Sequence, residues 1–149
     1  MDYFVTGGTG FIGRFLVGKL LDRGGSVHVL VREASLDRFE ALRKRYPQAA
    51  ERLHAVPGDL GRPRLGLADA DVDRLKGRIG SFFHVAAIYD MGASAESQQV
   101  ANVEGTRHAV QAAQATLGIA SPSKVFEQIG QYTGQGMAGG MRTMQPAVA

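Results

Sequence analysis

Cysteine is absent from this chain, which excludes disulfide bridges, thiolate metal sites and cysteine nucleophiles together and suits a reducing compartment. Long apolar runs are missing as well. None approaches the ~20 residues that a membrane-spanning helix needs. Met1-Asp2 leads directly into a strand-like run, where a signal peptide would place a basic region and an apolar core. The expectation is a cytoplasmic protein that does not engage a membrane. The four histidines show no metal-ligand spacing, so no metal is assigned. A net charge of +3 and a pI near 9.5 make the chain mildly basic. The densest basic cluster, Arg43-Lys44-Arg45, sits beside Glu40 and close to Glu51, and reads as a solvated helix face. No groove-reading motif accompanies it, so nucleic acid is not an expected partner.

What is present is a regular alternation. With 149 residues, 44% of them hydrophobic, the chain is one domain or a piece of one. Tyr3-Phe4-Val5 reads as a strand and runs into Thr6-Gly7-Gly8-Thr9-Gly10. A helix carrying Ile12, Leu16 and Leu20 follows and stops at Gly24-Gly25. Val27 to Val31 is a second strand, and Ser35 is the expected N-cap of a helix carrying Leu36, Phe39, Leu42 and Tyr46, closed by Pro47. Leu53 to Val56 is a third strand, and residues 61–80 form a loop with a short helix around Val72 to Lys76. Ser81 to Ala86 is a fourth strand. A long helix from about Ala95 to Leu117 is expected to bury the stripe Val100, Val103, Val110 and Leu117. This order predicts an α/β fold: a Rossmann-like, doubly wound parallel sheet with helices on both faces.

The pattern stops at Gly118. Residues 118–149 hold only Lys124, Glu127 and Arg142 as charges and are dominated by Gly, Gln, Met and Ala. The expected division is a nucleotide-binding domain over residues 1–117 and a poorly structured tail over 118–149.

Gly7, Gly10 and Gly13 form G-x-x-G-x-x-G between a predicted strand and a predicted helix, which is the context a dinucleotide-binding turn requires. The first glycine permits the tight turn. The second lets backbone approach a diphosphate, and the third lets the helix pack closely on the sheet. The anion would rest on exposed N–H groups at the positive end of the helix. Gly13 to Lys19 also fits G-x-x-x-x-G-K, but Leu20 stands where a magnesium-holding hydroxyl is needed and the intervening bulky residues belong to the helix. A nucleoside triphosphate loop is therefore rejected.

About twenty residues beyond such a turn, a carboxylate at the end of the second strand would bind the ribose hydroxyls of NAD. Here that strand ends in Arg32, whose planar fork of donors suits the 2′-phosphate of NADP. Glu33 follows directly and would favour NAD if it took that place. NADP is the expected cofactor, with NAD second.

With Thr6-Gly7-Gly8-Thr9-Gly10-Phe11-Ile12-Gly13 in view, the chain resembles the extended short-chain dehydrogenase/reductase superfamily, which includes sugar-nucleotide epimerases, dehydratases and acyl-thioester reductases. Gly58-Asp59-Leu60 is similar to its third-strand segment, where the Asp contacts adenine. His84-Val85-Ala86-Ala87-Ile88-Tyr89-Asp90 is similar to its fourth-strand end beside the cofactor. Asn102-Val103-Glu104-Gly105-Thr106 resembles the helix in which the Asn organises the active site. The resemblance covers about residues 3–117. Val29-Leu30-Val31-Arg32, the Ala-Ala-x-Tyr-Asp run and Asn-Val-Glu-Gly-Thr lie closest to the branch that reduces fatty-acyl or carrier-bound thioesters. The resemblance implies cofactor contacts at Gly7, Thr9, Gly10, Phe11, Ile12, Gly13, Arg32, Asp59, Leu60, Ala86, Ala87, Tyr89 and Asn102.

The chemistry of that superfamily also needs a Ser or Thr on a fifth strand and a Tyr-x-x-x-Lys pair. No tyrosine here has a lysine four positions later: Tyr3, Tyr46, Tyr89 and Tyr132 meet Gly7, Ala50, Ala93 and Gly136. No catalytic residue is therefore assigned. The expectation is a truncated or frame-disrupted relative that keeps its cofactor-binding half. Three functions compete: an NADP(H)-dependent oxidoreductase acting on a small carbonyl substrate or acyl thioester, a non-catalytic dinucleotide-binding or sensing module, and a relative of the NAD-dependent epimerases and dehydratases. A sheet ending at its fourth strand would leave an edge unpaired, which favours self-association or weak stability of the chain alone.

Overall fold

The structure is a computed structural model and describes residues 1–87, 92 and 94–118. Tyr89, Asp90 and the tail beyond Gly118 lie outside the described residues. The elements run β1 (Asp2–Thr6), α1 (Phe11–Asp22), β2 (Val27–Val31), α2 (Leu36–Lys44), β3 (Leu53–Pro57), α3 (Asp69–Leu75), β4 (Ile79–His84) and α4 (Ala95–Leu117). The strands form one parallel sheet in the order β3-β2-β1-β4. This is the expected α/β, Rossmann-like arrangement. Among the described residues, no helix is long and apolar enough to cross a membrane.

The strands are apolar on both faces because both faces are covered. Tyr3, Val5, Val27 and Val29 pack against Val17, Leu20 and Leu21 of α1 and Phe39 and Leu42 of α2. Phe4 and Val56 point the other way, toward Leu75 of α3 and Ala109 and Ala112 of α4. Phe4 also stacks on Phe82 of β4, ring centroids 4.8 Å apart, which adds about 0.5–1.5 kcal/mol beyond the area buried.

The chain builds outward from β1 to β2 and β3, then returns to lay β4 on the other side of β1. Strand order therefore reverses between β1 and β4. In open parallel sheets, ligands bind outside the C-terminal ends of the strands at such a reversal.

The far end of α1 is tied down by one side chain. Nη1 of Arg52 donates to the carbonyls of Leu21, at 3.1 Å, and Gly25, at 2.7 Å. At the N-terminal edge of the sheet, the Asp2 carboxylate meets His28 Nε2 at 3.2 Å and Arg78 at 3.1 Å. His28 is fully buried and stacks on His54. Burial pushes the His28 pKa below the usual imidazole value, against the opposing hydrogen bond from Asp2.

Several expectations are corrected. The fourth strand spans Ile79–His84, two residues earlier than the predicted start, and releases Val85 and Ala86 to the loop above the sheet. Helix α2 ends at Lys44, and Tyr46 instead precedes a 3₁₀ turn, Pro47–Arg52. Ser35 occupies the N-cap position, but its hydroxyl caps no backbone N–H. It accepts from Arg38 instead. Ile12 is 68% exposed, and the buried face of α1 is Gly13, Val17, Gly18, Leu20 and Leu21.

The largest correction is the buried stripe of α4. Val100, Val103 and Val110 are each more than half exposed, while Gly105, Ala109, Ala112 and Thr116 face inward. Of the expected stripe, only Leu117 packs on the core. The inward face is small because the helix lies close to the loop after β3. A Cβ on Gly105 would stand 2.9 Å from Leu60 Cδ2.

Candidate functional site

A cleft of about 840 Å³ opens at the C-terminal ends of the strands. It is lined by Gly7, Thr9, Gly10, Phe11, Ile12, Gly13, Leu30, Arg32, Ser35, Arg38, Asp59, Leu60, Val85, Ala86 and Ala87. Every site residue expected from the sequence is among them except Asn102, which stands on α4 outside the lining, and Tyr89, outside the described residues.

The glycines are required by sterics. Gly7 has φ +74°, and a Cβ there would stand 2.6 Å from the Ala86 nitrogen. A Cβ on Gly13 would run into the Gly7 carbonyl. Together they let the β1 end, the loop after β4 and the first turn of α1 meet with no side chain between them. Gly10 faces more open space and its N–H donates to the Gly7 carbonyl at 3.0 Å. It is the N-cap of α1 and offers no capping side chain, and the first turn carries no acidic residue. The start of α1 therefore presents uncapped N–H groups and a positive dipole end to the cleft. A diphosphate fits that donor set, and the bare backbone around it leaves room for one.

The other end of the cleft is cationic. Arg32 follows β2 directly, and its carbonyl accepts the Ser35 N–H at 2.8 Å. That tight turn starts α2, and Arg38 Nη2 donates to Ser35 Oγ at 3.1 Å. Arg32 and Arg38 both line the cleft, whereas Glu33 does not. Among the described residues, neither arginine forms an ion pair with a carboxylate. Arg38, Ser35, Leu30 and Val85 were missed in the sequence. The available signal for the first two was a hydroxyl and a guanidinium three positions apart at the start of a helix, one turn beyond Arg32.

Asp59 is held by its own loop. Its N–H donates to the Leu65 carbonyl at 2.8 Å, and its Oδ1 accepts the Gly61 N–H at 2.7 Å. Leu65 is fully buried with φ +60°, next to Arg64 at φ +52°. Left-handed backbone costs a non-glycine residue on the order of 1–3 kcal/mol, and burial of the Leu65 side chain offsets it. The Leu60 carbonyl accepts from His108 Nδ1 of α4 at 2.8 Å.

The similarities to known proteins fall on these same residues. The chain matches the NAD-binding family described as male sterility protein over residues 5–127. It is 32% identical to fatty acyl-CoA reductase 1 of Xenopus laevis over 129 residues, which cover 76% of this chain and 25% of that protein. The chain thus spans about a quarter of that relative's length. Among solved structures, the terminal R domain from the myxalamid PKS-NRPS biosynthetic pathway superposes with a TM-score of 0.64 at 32% identity, over 77% of this chain and 32% of that one. Gre2 from Candida albicans, solved in complex with NADPH, shares the fold at a TM-score of 0.63 and 23% identity, over 78% and 33% of the two chains. The fatty acyl-CoA reductase and the R domain belong to the branch to which the Ala-Ala-x-Tyr-Asp and Asn-Val-Glu-Gly-Thr segments pointed. With a family match that starts at the glycine turn and runs the length of the sheet, this chain belongs to the male sterility protein family of NAD-binding domains.

Proposed function

We propose that this chain is the cofactor-binding part of an NADP(H)-dependent reductase acting on acyl thioesters. The observation that carries the cofactor choice is a pair of guanidiniums, Arg32 and Arg38, which meet no carboxylate among the described residues and share a cleft with the uncapped start of α1. In this reading the N–H groups of α1 hold the diphosphate. Arg32 and Arg38 hold the 2′-phosphate, Asp59 and Leu60 border the adenine, and Ala86, Ala87 and Tyr89 border the nicotinamide end. When bound, the nicotinamide supplies the hydride. The protein's share is to fix the cofactor's orientation and keep its negative charges paired.

The thioester substrate is inferred from the reductases that the chain resembles. With no Tyr-x-x-x-Lys in the sequence, proton delivery to a carbonyl oxygen has no assigned donor. A second reading is a module that binds the dinucleotide without turning it over. Purified chain that binds NADPH yet oxidises none of it across a panel of carbonyls and acyl thioesters would favour the second reading.

The cofactor assignment is tested by titrating the full chain with NADPH and NADH. NADPH is expected to bind at least about tenfold more tightly, equivalent to about 1.4 kcal/mol. Arg38→Ala should erase most of that margin and leave NADH affinity unchanged. Equal affinities, or tighter NADH, would overturn the assignment.

A further inference from the structure

We propose that His84 is a positioning residue: as a neutral imidazole protonated on Nε2, it fastens the cofactor turn at the end of β1 to the middle of α4. Four groups from three elements meet around this ring. His84 Nδ1 lies 2.7 Å from Thr6 Oγ1, and Thr6 is fully buried as the last residue of β1. Thr6 Oγ1 also accepts the Ala86 N–H at 3.3 Å. On the other side of the ring, His84 Nε2 lies 3.4 Å from Thr106 Oγ1 of α4. The Thr106 hydroxyl donates to the Asn102 carbonyl at 2.9 Å.

Counting hydrogens leaves one assignment. Thr6 has a single hydroxyl proton and, among the described residues, no side-chain partner other than His84. If Nδ1 carried a proton and donated to Thr6, that buried hydroxyl proton would have no acceptor among the described residues, at a cost comparable to a lost hydrogen bond. Thr6 therefore donates to Nδ1. The ring proton is then on Nε2, pointing at Thr106, whose own proton is spent on Asn102. The bonds run in one direction, Ala86 N–H to Thr6, Thr6 to His84, His84 to Thr106, Thr106 to the Asn102 carbonyl, and every donor has an acceptor.

The consequence is positional. Gly7 follows Thr6 and touches Ala86 backbone to backbone, so the bond that holds Thr6 sets the spacing at which Gly7 and Ala86 form the floor of the cleft. The same ring sets where α4 stands above that floor, at the turn of helix that carries Asn102. His84 itself is not among the residues lining the cleft, so it acts through Thr6 and Ala86 and not on a ligand.

The test has two arms, and only the second rests on the dinucleotide reading. In ¹⁵N-labelled full chain at neutral pH without cofactor, the His84 ring signals are identified as the set missing from His84→Asn. Their long-range ¹H–¹⁵N pattern is expected to show a protonated Nε2 and a bare Nδ1. A proton on Nδ1, or on both nitrogens, would overturn the proposal. This arm measures the unmodified ring, so it stands even where a variant folds poorly. In the second arm, His84→Phe fills the space without accepting from Thr6 and should weaken NADPH binding by about tenfold. His84→Asn puts an amide oxygen near the Nδ1 position and should recover most of the loss. Full affinity in His84→Phe, or no recovery in His84→Asn, would count against the role. A wild-type chain that binds no dinucleotide would defeat the cofactor reading while leaving the tautomer result to decide on His84.

Discussion

Helices α1 and α4 lie on opposite faces of the same sheet, and they use apolar residues in opposite ways. Helix α1 turns Val17, Leu20 and Leu21 inward and leaves Phe11, Ile12 and Phe15 exposed around its start. Helix α4 turns Gly105, Ala109 and Ala112 inward and leaves Val100, Val103 and Val110 exposed. The first fills a space between helix and sheet, while the second closes one. The size of a buried side chain thus reports how near the backbone must come, and hydrophobicity alone does not say which face is buried.

The comparison is broken most severely at the start of α1. Gly13→Val should abolish dinucleotide binding, at least a hundredfold or about 2.7 kcal/mol, because the new side chain would occupy the Gly7 carbonyl. Titration by nucleotide fluorescence, with circular dichroism as a check on folding, measures it. Wild-type affinity in that variant would remove the steric basis of the turn.

Acidification should separate the two ends of the strands. Burial first, and then the charges of His54 and Arg74, hold the His28 pKa below 6.5, with Asp2 opposing. An unfolded chain takes up the proton near 6.5 while the folded one refuses it, so stability is complete above that pH. It should fall as the pH drops from 6.5 toward the lowered value. His54 and His84, lowered chiefly by burial, act in the same direction. Partial burial of Asp2 raises its pKa, but His28, the Ser26 N–H and Arg78 outweigh that and leave it below 3.8. Its contribution is therefore lost only at still lower pH. Urea unfolding across this range should show the decline. In His28→Phe it should be shallower, and an unchanged slope would show that His28 does not carry it.

The smallest effect should distinguish the two helices directly. Val103→Ser on the exposed side of α4 should change unfolding free energy by no more than about 0.5 kcal/mol, whereas Leu20→Ala in α1 should cost about 2–5 kcal/mol. Comparable losses in both would mean that the valine face of α4 is covered after all.

The sheet and the glycine turn were legible in the sequence because their causes are local. Val27 to Val31 is a short run rich in β-branched residues, and Gly10 and Gly13 answer to the Gly7 carbonyl a few residues away, whereas the approach of Gly7 to Ala86 is long-range and left no local signal. The inward face of α4 was not legible, since it depends on Leu60, far away in sequence. Arg38 was hidden by the tight turn Glu33–Ser35, which folds the chain back before α2 begins. The left-handed pair Arg64 and Leu65 left no residue-type signal, because neither is glycine.

Arg52 gives α1 a polarity that concerns the ligand. Its guanidinium covers carbonyls where the helix ends, and Lys19 adds a positive charge to the last turn, so the negative pole of the dipole is matched within the protein. The positive pole faces the cleft without an acidic counterpart in its first turn. On the proposed reading, a diphosphate would complete the charge pattern of the helix without having to displace an acidic side chain from its first turn.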